Sequence, residues 1–270
     1  MPITVEVPES VAGVVGALGD GAVVIAGGTQ VMPRINTEPH DLRALVSLRR
    51  AGLAGISVER SGGEASGRDR GGEATIGAAT TLARVGADER LAFLRPVIES
   101  IASPTIRNLA TVGGNLFVEQ PYGDLAVALL ALDAQVDVAG PGGSETRGVA
   151  DVADLPAGHV VTAVRFALPA AFRYTKAMRR RQNSASIVTV AAVLGAEPRL
   201  ALGGAGRKPI RSASAEAVLA AGPLDRERAE AAGRAALDDA EPFTDAYASA
   251  WYRGRVLPVH VRRALIGEAA

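Results

Sequence analysis

The sequence predicts an α+β fold in which strands and helices form sub-domains. Three observations support this class: the chain opens with a strand, helix and strand, its middle joins an apolar helix to alternating strands, and its end keeps an approximate helical period. A length of 270 residues is enough to bury one large core or two modest ones. We therefore expect two or three sub-domains packed against one another.

The first third of the chain is predicted to be rich in strands. A β-α-β pattern with a glycine loop after its second strand opens the chain, and a hairpin with a Gly/Arg/Glu-rich connection, 61–72, follows. The expected strands are 3–7, 22–26, 45–48, 55–59 and 73–78, and the expected helix is 10–18.

The remaining two thirds mix helices with strands. A polar and basic stretch, which carries no predicted strand, extends from Pro169 to Arg181. The expected elements are a helix to 87 capped by Thr80 or Thr81, a helix 94–101, a turn and glycine loop from 103, and a helix from Asp124 that leads into a strand ending at Val138. Strands 160–166, 187–194 and 198–203 follow, and then helices from 213 that end in an amphipathic helix, 247–266.

Composition excludes several classes of function. Lys plus Arg and Asp plus Glu balance at 29 each, so the chain lacks the positive charge that nucleic-acid binding needs. Cysteine is absent, which excludes disulfides, iron–sulfur ligation, thiolate metal sites and a cysteine nucleophile within this chain. His40, His159 and His260 form neither a metal-binding pair nor part of a triad, so we interpret them as structural or surface groups.

The chain is expected to be soluble and cytoplasmic. Its longest apolar runs, 125–132 and 187–192, are far shorter than the ~20 residues that a membrane-spanning helix needs. The start, MPITVEVPES, carries neither the basic nor the apolar region of a secretory signal.

Two glycine loops carry the strongest chemical signal. Ala26 to Gln30 (AGGTQ) follows a predicted strand, and Thr111 to Asn115 (TVGGN) comes about 85 residues later. Paired glycines permit positive φ angles and close approach of a ligand, while consecutive amides form a concave site for phosphate oxygens. Thr29, Thr111 and Asn115 add hydroxyl and amide groups suited to phosphate or ribityl oxygens. Both loops are therefore candidates for holding a dinucleotide pyrophosphate.

A simpler interpretation of each loop is a tight turn between a strand and a helix. Gly-Gly pairs also occur at 62–63, 71–72, 142–143 and 203–204, where a turn is the expected role. Neither G-x-G-x-x-G after a predicted strand nor G-x-x-x-x-G-K-[ST] occurs, which weighs against Rossmann and P-loop nucleotide sites. Local chemistry alone leaves both interpretations of the two loops open.

The segment from Ser103 to Asp124 reads SPTIRNLATVGGNLFVEQPYGD. With the AGGTQ loop, it resembles the signature of the FAD-binding subunits of molybdenum hydroxylases, the xanthine dehydrogenase and carbon monoxide dehydrogenase family. That family carries A-G-G-[TQ] and S-P-x-I-R-N-x-A-T-x-G-G-N, with an Asp nine residues after the Asn, in the order and spacing found here. The resemblance continues through 174–188 and 249–265 and is thin at 52–72 and 145–158.

The resemblance implies an FAD site built from both loops. The amides and small polar groups of the loops would meet the pyrophosphate and its sugars, Asp124 would accept hydrogen bonds from the cofactor, and the strand 160–166 would pass beside the isoalloxazine ring. The implied cofactor-binding residues are Val24, Ile25, Ala26, Gly27, Gly28, Thr29, Gln30, Val31, Thr111, Gly113, Gly114, Asn115, Asp124, Val161 and Lys176.

Three of the side chains have simpler interpretations as well. Asp124 is suited to cap the predicted helix, and Lys176 fits a solvated basic turn as well as a place near the flavin ring, where a cation would stabilise the reduced flavin. Tyr122 stands where many relatives have smaller residues, so it either touches the flavin or fills a gap.

The resemblance also implies the architecture. We expect an FAD-binding domain of the PCMH/VAO type at 1–168, in two parts of about 1–55 and 56–168. A C-terminal domain at 169–270 would contain an antiparallel sheet with helices.

The implied function is electron relay within a hetero-oligomer. A molybdopterin-binding large subunit would hydroxylate the substrate, and electrons would cross two [2Fe-2S] clusters on a small subunit to this FAD. NAD, a quinone or another carrier would then accept them, and the sequence identifies neither this acceptor nor the substrate.

Two other functions stay open at this point. One is a stand-alone FAD oxidoreductase on the same fold, akin to the enolpyruvyl-sugar reductases, although catalytic groups for such a substrate are not evident in the sequence. The other is a structural subunit with a decayed flavin site. The intact glycines of both loops and Asp124 argue against decay.

Overall fold

The structure is a computed structural model that describes residues 3–37, 41–60, 71–180 and 183–267. The described residues form twelve strands in three sheets, together with ten α-helices and two short 3-10 helices. The predicted α+β class is confirmed. Most of the predicted Gly/Arg/Glu-rich connection and His40 lie outside the described residues.

The first sheet has three parallel strands. Its elements are β1 (Thr4–Glu6), α1 (Val11–Ala17), β2 (Ala22–Ile25), α2 (Val31–Thr37) and β3 (Ala44–Ser47). The sheet order is β1-β3-β2, so the third strand lies between the two strands of the predicted β-α-β unit. Helix α1 begins where the Ser10 hydroxyl accepts a hydrogen bond from the Gly13 amide.

The second sheet is antiparallel and has five strands in the order β4-β5-β8-β6-β7. These are β4 (Ile56–Arg60), β5 (Gly72–Gly77), β6 (Gln135–Gly140), β7 (Gly143–Gly148) and β8 (Val160–Ala167). Helices α3 (Leu82–Ala87), α4 (Arg95–Ser100), α5 (Pro104–Leu109), α6 (Val112–Leu116) and α7 (Asp124–Ala131), with 3-10 helices Glu89–Leu94 and Val149–Asp154, complete this part. Thr81 caps α3, as predicted.

The third sheet is antiparallel, as expected for the C-terminal part. Its strands, in the order β12-β11-β10-β9, are β9 (Ala171–Met178), β10 (Ser186–Leu194), β11 (Arg199–Gly203) and β12 (Ile210–Arg211). Helices α8 (Ala213–Ala220), α9 (Arg226–Ala235) and α10 (Ala250–Ile266) pack against it, with Leu257 and Val261 of α10 fully buried.

Helix α7 joins the second and third sheets. All eight of its residues are buried, and its core cluster includes side chains from both sheets, such as Val136 of β6 and Ala191 of β10. Ala139 and Val160 of the second sheet share a further cluster with Val14 and Val46 of the first part. Apolar packing therefore connects all three sheets.

Three strands were not predicted: β7, β9 and the two-residue β12. The polar and basic stretch after Pro169 contains β9, whose residues Thr175 to Ala177 are buried because they pair with β10 along one edge of the third sheet. Strand β7 was missed because the residues Gly143 to Gly148 are mostly exposed and lack apolar alternation. None of the helices in the described parts of the chain has the length and apolar character needed to cross a bilayer.

Candidate functional site

A cavity of about 870 Å³ lies where the two glycine loops meet. This volume is in the range of small-molecule and cofactor sites. Its wall contains residues from β2 and the loop after it, α6, β8 and β9, and the segment 183–185. The predicted site residues in the wall are Val24, Ala26, Gly27, Gly28, Thr29, Gln30, Val31, Thr111, Gly113, Gly114, Asn115, Asp124, Val161 and Lys176.

Ile25 is the predicted site residue that does not belong to this wall. Val23, Val24 and Ala26 all belong to the wall, so Ile25 lies between wall residues without lining the cavity itself. A role for Ile25 in holding the cofactor stays a prediction.

The first loop offers backbone donors to the cavity. Gly28 has φ +70°, a conformation that only glycine adopts without strain, and its carbonyl accepts from the Met32 amide at 3.0 Å. No hydrogen-bond acceptor is recorded within the described residues for the amides of Gly27 to Val31. Five consecutive amides without an acceptor among the described residues, in a loop that lines a cavity, are suited to bind an anion.

The two loops also touch each other directly. A Cβ atom at Gly27 would overlap the backbone carbonyl of Leu109, which lies just before the second loop. The φ angle of Gly27 is not positive, so backbone conformation does not require glycine there. The close approach of the Leu109 carbonyl does. The two loops thus form one continuous surface.

The second loop is the first turn of the short helix α6. The Thr111 hydroxyl caps this helix by accepting from the Gly114 amide at 3.2 Å, and the Gly113 amide donates to the Ala78 carbonyl at 2.9 Å. Neither glycine has a positive φ, and a Cβ at Gly113 would lie 2.8 Å from that of Ala78. The expected phosphate-binding amides are therefore already used here, and this loop presents its side chains to the cavity instead.

Asn115 is the clearest such side chain. It is buried, and its Oδ1 atom has no hydrogen-bond partner within the described residues. A buried acceptor without a partner costs about 1–3 kcal/mol, so it calls for a donor from a ligand. A flavin dinucleotide carries N–H and O–H donors of the required kind, so the cavity fits this group at Asn115.

A buried ion pair lies deeper in the wall. The Lys176 ammonium is 2.8 Å from Oδ2 of Asp124, and each side chain is 3% exposed. Ser186 and Thr189 of β10 both donate to Asp124 Oδ1 at 2.6 Å, while Lys176 also donates to the Ser100 carbonyl at 2.8 Å. One lone pair of Oδ2 remains for a ligand. Asp124 is not the helix cap, because Gly123 is the N-cap of α7. Lys176 does not lie in a solvated turn, because it is buried.

Positive charge predominates around the cavity. Among the described wall residues, Arg34, Lys176, Arg179 and Arg180 are cationic and Asp124 is the one carboxylate. This excess of positive charge suits a ligand with two phosphates.

Several wall residues were not predicted from the sequence. Tyr247 comes from the segment before α10, and its hydroxyl is hydrogen-bonded to that of Tyr122. His159 lies in the wall rather than in a purely structural place, whereas His260 is buried in α10, where burial and the nearby Arg263 lower its pKa. No sequence pattern pointed to Tyr247, because 123 residues separate it from the Asp124 that ends the second signature segment.

Two family models match the chain. One, described as the FAD binding domain in molybdopterin dehydrogenase, covers residues 1–169. The other, described as the CO dehydrogenase flavoprotein C-terminal domain, covers residues 173–267.

Curated relatives match over nearly the whole length. The carbon monoxide dehydrogenase medium chain of Afipia carboxidovorans is 28% identical over an alignment of 280 positions, which covers 96% of this chain and 93% of the relative. The putative xanthine dehydrogenase FAD-binding subunit XdhB of Escherichia coli K12 is 29% identical over an alignment of 276 positions, which covers 92% of this chain and 88% of the relative.

Solved structures show the same fold. A chain of reconstituted CO dehydrogenase from Oligotropha carboxidovorans superposes with a TM-score of 0.85 at 26% identity, covering 100% of this chain and 98% of its own. A chain of quinoline 2-oxidoreductase from Pseudomonas putida 86 superposes with a TM-score of 0.87 at 24% identity, covering 99% of this chain and 97% of its own. This second match shows that the two chains share a fold. The family resemblance of the two loops is thus confirmed. The chain belongs to the molybdenum hydroxylase flavoproteins, as an FAD-binding medium subunit of an oxidoreductase related to carbon monoxide dehydrogenase and xanthine dehydrogenase.

Proposed function

We propose that this chain relays electrons through an FAD held in the 870 Å³ cavity, from a partner that carries [2Fe-2S] clusters to an external acceptor. A molybdopterin-binding large subunit would hydroxylate the substrate in the same complex. The observation that carries the proposal is the run of five amides, Gly27 to Val31, that have no acceptor among the described residues and lie in the same wall as Asn115, whose Oδ1 has no donor among them. A cytoplasmic location, and domains at 1–168 and 169–270, belong to the same proposal.

The first loop would hold the pyrophosphate. Its amides would donate hydrogen bonds to the phosphate oxygens, and Arg34, Arg179 and Arg180 in the same wall supply positive charge. Because the amides of the second loop are used within the protein, the side chains of Thr111 and Asn115 would contact the sugar and ribityl groups instead.

Asp124 and Lys176 would fix the polar environment of the cofactor. The bound FAD supplies the redox chemistry, since it accepts a pair of electrons and releases them singly or together. Lys176 is held by Asp124 and the Ser100 carbonyl, so its position is set before any ligand arrives. The Asp124 carboxylate offsets part of the charge of Lys176, which limits how strongly that cation stabilises added electrons.

Other subunits would supply the metal centres. This chain has no cysteine and so cannot ligate an iron–sulfur cluster itself. Ile106, Leu109 and Phe117 lie beside the cavity and are 38%, 53% and 50% exposed. This apolar surface would receive the electron-donating subunit, which must come close to the cavity.

The test is anaerobic reduction of the FAD-loaded chain by its dithionite-reduced iron–sulfur subunit, freed of excess dithionite. Flavin absorbance should bleach only when the subunits are mixed. Leu109→Asp should slow the bleaching without loss of bound FAD, whereas Val259→Asp, on α10 and 40% exposed, should not slow it. Bound FAD that the reduced subunit never bleaches would contradict the relay.

A further inference from the structure

Tyr122 and Tyr247 meet at the opening of the cavity. Tyr122 lies just before α7 and Tyr247 just before α10, so they reach the cavity from different parts of the fold. Their rings are 5.8 Å apart between centroids at 86°, and their hydroxyls are hydrogen-bonded to each other. Tyr122 is 46% exposed although it belongs to the cavity wall, which places the pair between the cavity and solvent.

The segment that carries Tyr247 is firmly anchored. The amides of Tyr247 and Ala248 donate to Asp245 Oδ1 at 2.8 and 2.9 Å. The other oxygen of Asp245 accepts from Arg253 at 2.6 Å, and this fully buried arginine also donates to the Ile187 carbonyl of β10. Tyr247 is therefore fixed to the third sheet.

Tyr122, the other member of the pair, lies in a short turn. The Tyr122 amide donates to the Glu119 carbonyl at 3.0 Å, and the Tyr122 carbonyl accepts from the Asp124 amide at 2.8 Å. Within the described residues, Tyr247 is the recorded hydrogen-bond partner of the Tyr122 hydroxyl. Burial of this hydroxyl and its bond to Tyr247 raise the pKa of Tyr122 to about 12, so the hydroxyl stays protonated well above neutral pH.

We propose that Tyr122 and Tyr247 form a latch across the cavity opening that must part before FAD enters or leaves. This inference rests on the proposed FAD site. Such a latch hinders the movement of FAD into and out of the cavity, but it does not contact the bound FAD. Weakening it should therefore speed release and uptake by the same factor and leave the FAD dissociation constant unchanged.

Two variants each delete one hydroxyl and keep the ring, Tyr122→Phe and Tyr247→Phe. A single hydrogen bond of this kind is typically worth a factor of about 3 to 10, so each variant should exchange FAD about 3- to 10-fold faster. The double variant should be no faster than either single one, because both substitutions remove the same bond. Tyr252→Phe, on α10 and outside the cavity wall, should match the wild type.

The experiment is stopped-flow flavin fluorescence, following release on dilution of the FAD-loaded chain and uptake on mixing the FAD-free chain with FAD. Equal acceleration of both rates supports the latch. Unchanged rates would overturn it, and so would faster release with unchanged uptake, since that result means that the hydroxyls contact the cofactor. A wild-type chain that binds no FAD contradicts the proposed site itself, which separates the two failures.

Discussion

The buried ion pair of Lys176 and Asp124 should make a large electrostatic contribution to the free energy of unfolding, and the sequence alone did not predict this pair. The two groups are 2.8 Å apart and each side chain is 3% exposed. Their gross attraction is about 6 kcal/mol at an effective dielectric constant of about 20, and desolvation offsets much of it. Removing one partner leaves the other charge buried, which typically costs about 3–5 kcal/mol.

Lys176→Met should therefore lower the free energy of unfolding by about 3 kcal/mol, the lower end of this range, because Ser186 and Thr189 still donate to Asp124. The measurement is urea unfolding of the FAD-free chain, so that ligand binding does not contribute. The double variant Asp124→Asn/Lys176→Met removes both charges and should recover most of the loss.

The matched control is Lys208→Met. Lys208 pairs with Asp154 at 3.0 Å, but the two side chains are 58% and 72% exposed, so its loss should cost less than about 1 kcal/mol. Equal losses in Lys176→Met and Lys208→Met would refute the reasoning, and so would a double variant as unstable as the sum of its single variants.

The remaining predictions concern the loops and the latch. Gly114→Val should abolish FAD retention in a folded protein. The control is Gly16→Val in α1, where a Cβ meets nothing within 4 Å, and this variant should retain FAD. Stoichiometric flavin in Gly114→Val would show that the second loop is not part of the site. Gly27→Ala should push the loops apart and lower the thermal midpoint as well as FAD content, and an unchanged midpoint would contradict the contact with the Leu109 carbonyl. Burial raises the pKa of Asp245, but hydrogen bonds from Ala248, Tyr247 and Arg253 outweigh this and leave it below its usual value. Because its pKa is lowered, the charged Asp245 anchors Tyr247 fully above about pH 4 and loses this effect below it. FAD release should therefore stay constant from about pH 8 to 5 and accelerate only below about pH 4. Acceleration already near pH 6 would contradict this.

Much of the site could be predicted because glycine and carboxylate leave local signals. Gly28 needs a positive φ, and Gly27 and Gly113 lie where a Cβ would meet another backbone or side chain. The spacing between Asn115 and Asp124 is set by one turn and the start of α7. These requirements fix the residue type at closely spaced positions, so they can be read in the sequence even where the contacted segment is distant.

The rest could not be predicted because it depends on contacts between distant segments. Lys176 lies in β9, whose Arg173 and Lys176 hide the apolar alternation, and pairing with β10 rather than local propensity makes it a strand. Ser186 and Thr189 bond to Asp124 across 62 and 65 residues. Which amides stay unsatisfied also depends on the fold, since Ala78 uses the donor of Gly113.

The most direct test of FAD binding by this cavity is the absorption spectrum of the chain purified alone and then mixed with FAD, with the released cofactor identified after denaturation. We expect flavin bands, about one FAD per chain, and loss of both in Gly114→Val. A chain that shows no flavin bands in either condition would mean that its own cavity does not hold FAD.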